Sequence, residues 1–449
     1  MQDTSLSFPS DFLWGCATAA LQIEGSTRSD GRENSIWDDF CEQHPERVQG
    51  AANPEPGCDH YRRWEEDLDW IERLGHNAYR FSISWPRARA GLDFYDRLVD
   101  GLCQRGVAPM ATLYHWDLPA RLGSWENPDA ADAFADFVSL AARRLGDRVS
   151  HWMTLNEPAW SIMNGYVTGL HPPCLQDLNR ALAAGHQLMR AHHLALSRLR
   201  SEGVRGQLGI ALNLSPVRCA GESAKDRRAA RWADDFLNRW FLEAVIHGRY
   251  PRRAARLARF REAIQDPQPI DFLGVNYYYP KWVAHSEEET RFHLNTSGQT
   301  QEKCHFSLQG RLRFVDSPAG AAKTEWDWEI DPQGLEDLLL DLHRCYPGLP
   351  LMVTENGLGL REDGVSTHDP ERIAFVQAHL EAISRALKAG APVRGYLMWS
   401  LMDNFSWLNG YQKRYGLLAV EPGSLQRRPK DSAWWFKEVF SPRPENAGP

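Results

Sequence analysis

Eight short apolar runs, each followed by a stretch of helical period, constrain this 449-residue chain more than any other feature. They are FLWGCATAA from Phe12, NAYRFSISW from Asn77, APMATLYHW from Ala108 and HWMTLNE from His151, then QLGIALNL from Gln207, DFLGVNYYY from Asp271, PLMVTENG from Pro350 and VRGYLMWS from Val393. Their hydrophobicity is near-continuous and does not alternate, as expected of parallel strands buried on both faces. Between them, HYRRWEEDLDWIERLG places Trp64, Leu68, Ile71 and Leu74 on one helical stripe. PDAADAFADFVSLAARRLG has Asn127 as an expected cap before Pro128 and ends at Gly146, and PERIAFVQAHLEAISRALKAG follows Asp369 on the same plan. Eight strands alternating with helices read as an α/β chain forming one (β/α)8 TIM barrel. At 43% hydrophobic content, residues 1–449 can close around one core with long βα loops, and no repeat or low-complexity tract divides them. The poorly periodic stretch from Val283 to Trp326 reads as a functional insertion.

Composition narrows the partners. A net charge of −8 gives no electrostatic case for nucleic acid. No apolar run approaches the roughly 20 residues that span a bilayer, so no membrane role is expected. The start, MQDTSLSFPSDF, lacks a basic segment followed by an apolar one, so a cytoplasmic setting is expected. Eight cysteines are scattered with no CxxC pair, against a disulfide framework or a zinc site. His192 and His193 are adjacent on a helix, where neighbours face apart, so no metal is expected. The 18 tryptophans suit stacking on the apolar faces of sugars.

In such a barrel the active site lies at the C-terminal strand ends. Those ends carry Gln22 and Glu24, Arg80, His115 and Trp116, Asn156 and Glu157, Asn276 and Tyr278, Glu355 and Asn356, and Trp399. Polar groups at so many ends are costly to bury without a purpose. Glu157 and Glu355 stand across the mouth from each other, and paired carboxylates flanking one bond are what glycoside cleavage requires. One keeps its proton near neutral pH while the other stays ionised. Asn156 is placed to donate to a sugar 2-hydroxyl. Tyr278 and Arg80 are placed to hold Glu355 ionised.

TLNEP at Thr154–Pro158 and TENG at Thr354–Gly357 resemble the acid/base and nucleophile motifs of glycoside hydrolase family 1, the β-glucosidase family. FLWGCATAALQIEG, RFSISWPR, LYHWDLP and GVNYYY extend that resemblance over essentially the whole chain, in family order. It implies a retaining hydrolase of terminal β-D-glycosides with Glu157 as acid/base, Glu355 as nucleophile and Tyr278 bonded to it. Asn276 is grouped with Arg80 and Tyr278 as nucleophile support. The resemblance also implies glycone contacts from Gln22, His115, Asn156, Trp399 and Trp407, with Trp116 in the same wall, and Trp328 as an aglycone platform. It implies no cofactor, and a small β-glycoside or oligosaccharide as the partner.

One position departs from the family. Most of its β-glucosidases have Glu where Ser406 stands in DNFSW. A carboxylate facing a sugar 6-phosphate meets a repulsion of about 4 kcal/mol at about 4 Å for an effective dielectric near 20. Ser406 removes that charge. With Lys413 and Tyr415 it forms S-x6-K-x-Y, which resembles the phosphate-binding set of the family's 6-phospho-β-galactosidases and 6-phospho-β-glycosidases. Asn404 and the motifs QIEG, HWDLP and TLNEP are of the ordinary β-glucosidase type. The expectation is 6-phospho-β-galactosidase or wider 6-phospho-β-glycosidase action, with a broad β-glucosidase/β-galactosidase on unphosphorylated sugars as the alternative. A barrel that only binds sugar is the competing class, disfavoured because both glutamates are present.

Overall fold

A computed structural model describes residues 6–88, 91–252, 263–287 and 312–440. Each apolar run contains a strand: β1 (Leu13–Ala17), β2 (Ala78–Ser82), β3 (Ala108–Thr112), β4 (His151–Asn156), β5 (Gln207–Asn213), β6 (Phe272–Asn276), β7 (Leu351–Asn356) and β8 (Val393–Trp399). All pair in parallel in chain order, and β1 joins β8 from Leu13↔Gly395 to Ala17↔Trp399 to close the barrel. Inside, Ala17, Ala78, Met110, Met153, Ala211, Met352 and Leu397 form a packed cluster. The barrel is therefore filled and leaves room for a ligand only at its rim.

The helices cover the outside with the stripes read from sequence. His60–Arg73 buries Leu68 and Ile71, with Leu74 buried just beyond it, while Trp64 is half-buried. The helix expected after Asn127 begins later, at Ala130. Asn127 instead accepts the Asp129 N–H at 3.0 Å and donates to the Leu122 carbonyl at 3.1 Å, so it shapes the turn that precedes the helix. Pro370–Lys388 starts at its proline, behind Asp369.

The expected insertion begins inside one strand, 281–284, and supplies another, 313–315, of a small sheet of order 217–219, 281–284, 313–315. Trp282 faces Val315 in its antiparallel pair. Residues 288–311 of the insertion lie outside the described residues. Among the described residues no helix is long and apolar enough to cross a membrane.

Candidate active site

Both rim glutamates sit where the ladder loses register. The β4–β5 pairing shifts between Met153 and Asn156, and the β7–β6 pairing between Val353 and Glu355. Such irregularities re-aim side chains at a strand end. Glu157 then takes a left-handed backbone, φ 46 and ψ 57, directly before Pro158 opens the next helix. A non-glycine residue held there costs of order 1–3 kcal/mol, which the surrounding structure must impose.

Arg80 links the two halves from behind. Its Nη1 donates to Glu355 Oε1 at 2.7 Å and its Nη2 to Asn156 Oδ1 at 2.6 Å. The Tyr278 hydroxyl donates to the other oxygen of Glu355 at 2.9 Å. Asn276 Nδ2 donates to Glu157 Oε1 at 2.7 Å and to Asn156 Oδ1 at 3.0 Å, while its own Oδ1 accepts from Thr354. With its oxygen taken twice, Asn156 presents its NH2 toward the cavity, 3.0 Å from His115 Nε2.

The two carboxyls differ in setting. Burial, and then the charge of Glu355, push Glu157 up to about 8. Burial also raises Glu355, but the Arg80 guanidinium and the Tyr278 hydroxyl oppose it. The pair therefore holds one proton near neutral pH, and that proton belongs on Glu157.

The cavity above this pair is lined by Gln22, His115, Trp116, Asn156, Glu157, Tyr278, Trp328, Glu355, Trp399, Ser406, Trp407, Lys413 and Tyr415. Arg80 and Asn276 lie beneath its floor. Gln22 Nε2 is held by the Phe405 carbonyl at 2.7 Å and by Asn404 at 3.2 Å, leaving a buried Oε1 without a protein donor. Trp116 donates to the Asn156 carbonyl at 3.0 Å, and its ring lies 4.7 Å from Trp407. His115 stacks 5.8 Å from Trp399, and burial pushes its imidazole well below the usual range, so it stays neutral.

Ser406 is buried in the same wall, its N–H donating to the Gly410 carbonyl at 2.6 Å. Lys413 is not the ready positive charge expected from sequence. Its Nζ has no hydrogen-bond partner and rests 3.4 Å from the centre of the Trp328 ring. Burial, with the Arg361 charge nearby, lowers its amine well below the ordinary lysine range.

Two strand-end residues face away from the cavity and are structural. Glu24 accepts from Tyr95 at 2.6 Å and from Arg87 at 3.2 Å, and Asn356 is tied to the Tyr277 carbonyl at 2.8 Å and to the Tyr396 hydroxyl at 3.0 Å. Other lining groups were not singled out from sequence, among them Trp160, Asn213, Tyr279 and Lys281. Asn213 was legible, because it ends β5 as Asn156 ends β4. Among the described residues no group of His, Cys, Asp or Glu is placed to hold a metal. His192 is bonded to Thr154 at 2.6 Å and His193 to the Ala244 carbonyl at 2.9 Å.

The chain matches the profile of Glycosyl hydrolase family 1 over residues 4–444. It belongs to glycosyl hydrolase family 1. This family 1 chain is therefore a glycoside hydrolase. It is 37% identical to the 1,4-beta-D-glucan glucohydrolase of Thermotoga neapolitana, over 96% of this chain and 98% of that one. It is 41% identical to thermostable beta-glucosidase B of Thermobispora bispora, over 97% and 90% of the two chains. The family 1 β-glucosidase from Thermotoga maritima superposes with a TM-score of 0.86 at 37% identity, covering 97% of this chain and 98% of that chain. The resemblance to 6-phospho-β-galactosidases is not among these similarities, whose names are of β-glucosidase type.

Proposed function

We propose that this family 1 hydrolase is a retaining β-glycosidase acting on unphosphorylated terminal β-D-glucosides and β-D-galactosides. The observation that carries the reading is the pair of buried carboxyls in opposed settings. Glu157 holds a proton up to about 8, and Glu355 lies between Arg80 and Tyr278. Glu355 attacks the anomeric carbon while Glu157 gives its proton to the departing oxygen, leaving a glycosyl-enzyme and the free aglycone. Glu157, now ionised, takes a proton from water, which displaces Glu355 and releases the sugar with its β configuration kept. Asn156 Nδ2 reaches toward the 2-hydroxyl, and the unpartnered Gln22 Oε1 accepts from a glycone hydroxyl. Trp399 and Trp407 supply apolar faces.

One consideration favours the unphosphorylated sugar over the expected phosphate. The similar relatives carry glucan glucohydrolase and β-glucosidase names. The phosphorylated glycone is the second reading. It rests on Ser406, Lys413 and Tyr415 sharing one cavity wall with no carboxylate at position 406.

A panel of nitrophenyl β-glucoside, β-galactoside and their 6-phosphates tests both by kcat/KM. Turnover of the plain sugars is expected to dominate; turnover confined to the phosphates would reverse the assignment. Glu355→Ala is expected to end hydrolysis while sugar binding persists, and undiminished turnover would remove Glu355 from the mechanism.

A further inference from the structure

Lys281 begins the middle strand of the small sheet outside the barrel, yet its side chain turns into the active-site cavity. It is 8% exposed, and among the described residues no carboxylate or other hydrogen-bond acceptor meets its ammonium nitrogen. Two aromatic rings lie against it, with Nζ 3.5 Å from the centre of Tyr279 and 5.1 Å from that of Trp160. Tyr279 in turn stacks on Trp328, with ring centres 4.7 Å apart and planes 17° from parallel.

These groups lie on the leaving-group side. Trp160 is in the first turn of the helix that follows Glu157, and burial, followed by the charge of Glu157, raises the Tyr279 hydroxyl. Aromatic faces alone recover only about 1–2 kcal/mol for a cation, less than its desolvation costs, and burial accordingly lowers the free Lys281 amine well below the ordinary lysine range. An anion delivered by the ligand supplies the missing partner.

We propose that Lys281 is a specificity-determining residue that selects aglycones carrying a carboxylate. The aglycone rests on the Trp160 and Tyr279 faces, and its carboxylate accepts a charge-assisted hydrogen bond from Lys281 Nζ. Aromatic acids and uronic acids share this chemistry. The inference rests on the glycosidase reading, since an aglycone side exists only if Glu157 protonates a leaving group.

The test compares kcat/KM for 4-carboxyphenyl β-glucoside with its neutral isostere, 4-carbamoylphenyl β-glucoside. A second pair sets glucosyl-β-glucuronic acid against glucosyl-β-glucose. The wild-type enzyme is expected to favour the acid roughly tenfold in at least one pair, as one charged hydrogen bond implies. The pair showing the larger ratio distinguishes aromatic from uronic acids. In Lys281→Met the ratio is expected to fall to about one, while Lys281→Arg retains it. A wild-type enzyme that cleaves both members of each pair equally overturns the proposal without recourse to any variant, as does a ratio unchanged in Lys281→Met. Failure to cleave any of the four glucosides instead overturns the glycosidase reading beneath it.

Discussion

Arg80 donates from two nitrogens of one guanidinium, to Glu355 and to the oxygen of Asn156. One side chain thus favours charge on one carboxylate and fixes which way the amide beside the other points. The rate profile should carry that signature. On the alkaline side kcat/KM is expected to fall as Glu157, pushed up to about 8, loses the proton it delivers. On the acid side it falls as Glu355 gains one. Arg80→Met removes the charge that opposes protonation of Glu355, so the acid limb should move to higher pH and the bell should narrow. An acid limb that stays in place would separate Arg80 from the titration of Glu355. Most of this cavity was legible because its residues stand at strand ends, where chain order fixes direction. Lys281 and Trp160 were not: one comes from a short strand beyond the barrel, the other from a helical turn, and neither position has a period to betray it.

At the scale of elements, near-continuous apolar runs located all eight barrel strands, because burial on both faces leaves no alternation to misread. The small outer sheet escaped notice, since strands of three residues such as Val217–Cys219 carry too little pattern. The start of Ala130–Leu145 was misplaced because Asn127 bonds within the preceding turn. How closely the strand ends approach also lay beyond the sequence. A Cβ built on Gly357, two residues after Glu355, would stand 1.9 Å from the Trp399 carbonyl oxygen. The oxygen is main chain and the position of a Cβ is fixed by its own backbone, so no rotamer relieves the clash. Gly357→Ala is therefore expected to push the β7 exit from the β8 exit, costing about 1–3 kcal/mol of stability. It should also lower kcat, because Glu355 moves with its strand. Denaturant unfolding and steady-state rates measure the two effects, and a variant unchanged in both would mean the rim yields freely.

Across the whole molecule, buried ion pairs tie distant parts of the chain together. Asp67, fully buried, accepts from Arg427 at 2.7 and 2.9 Å and contacts His60 at 2.8 Å. Asp403 meets Lys430 at 3.0 Å and Arg414 at 3.2 Å. Burial alone would raise Asp67, but the hydrogen bonds from His60 and Arg427 outweigh it and hold the carboxyl below its ordinary value. A carboxyl depressed in the folded state stabilises the fold above its unfolded pKa, and that stability is lost as pH falls through the folded one. Asp67→Asn leaves Arg427 buried without its counter-charge, which should cost roughly 3–5 kcal/mol near neutral pH. The gap between variant and wild type should shrink under acid, measured by denaturant unfolding across pH. A gap that is constant with pH would show that the pair contributes through packing alone.

Closing β1 against β8 has a consequence for when the molecule can work. The cavity takes Gln22 from one end of the chain and Trp399, Ser406 and Trp407 from the other, and the amide of Gln22 is held by the carbonyl of Phe405. Contacts this remote in sequence form late, after the intervening chain has been ordered. A ribosome-bound chain that has not yet released β8 has half a sugar site and no rim to complete it. Appearance of glycosidase activity during synthesis would therefore time the sealing of the barrel itself.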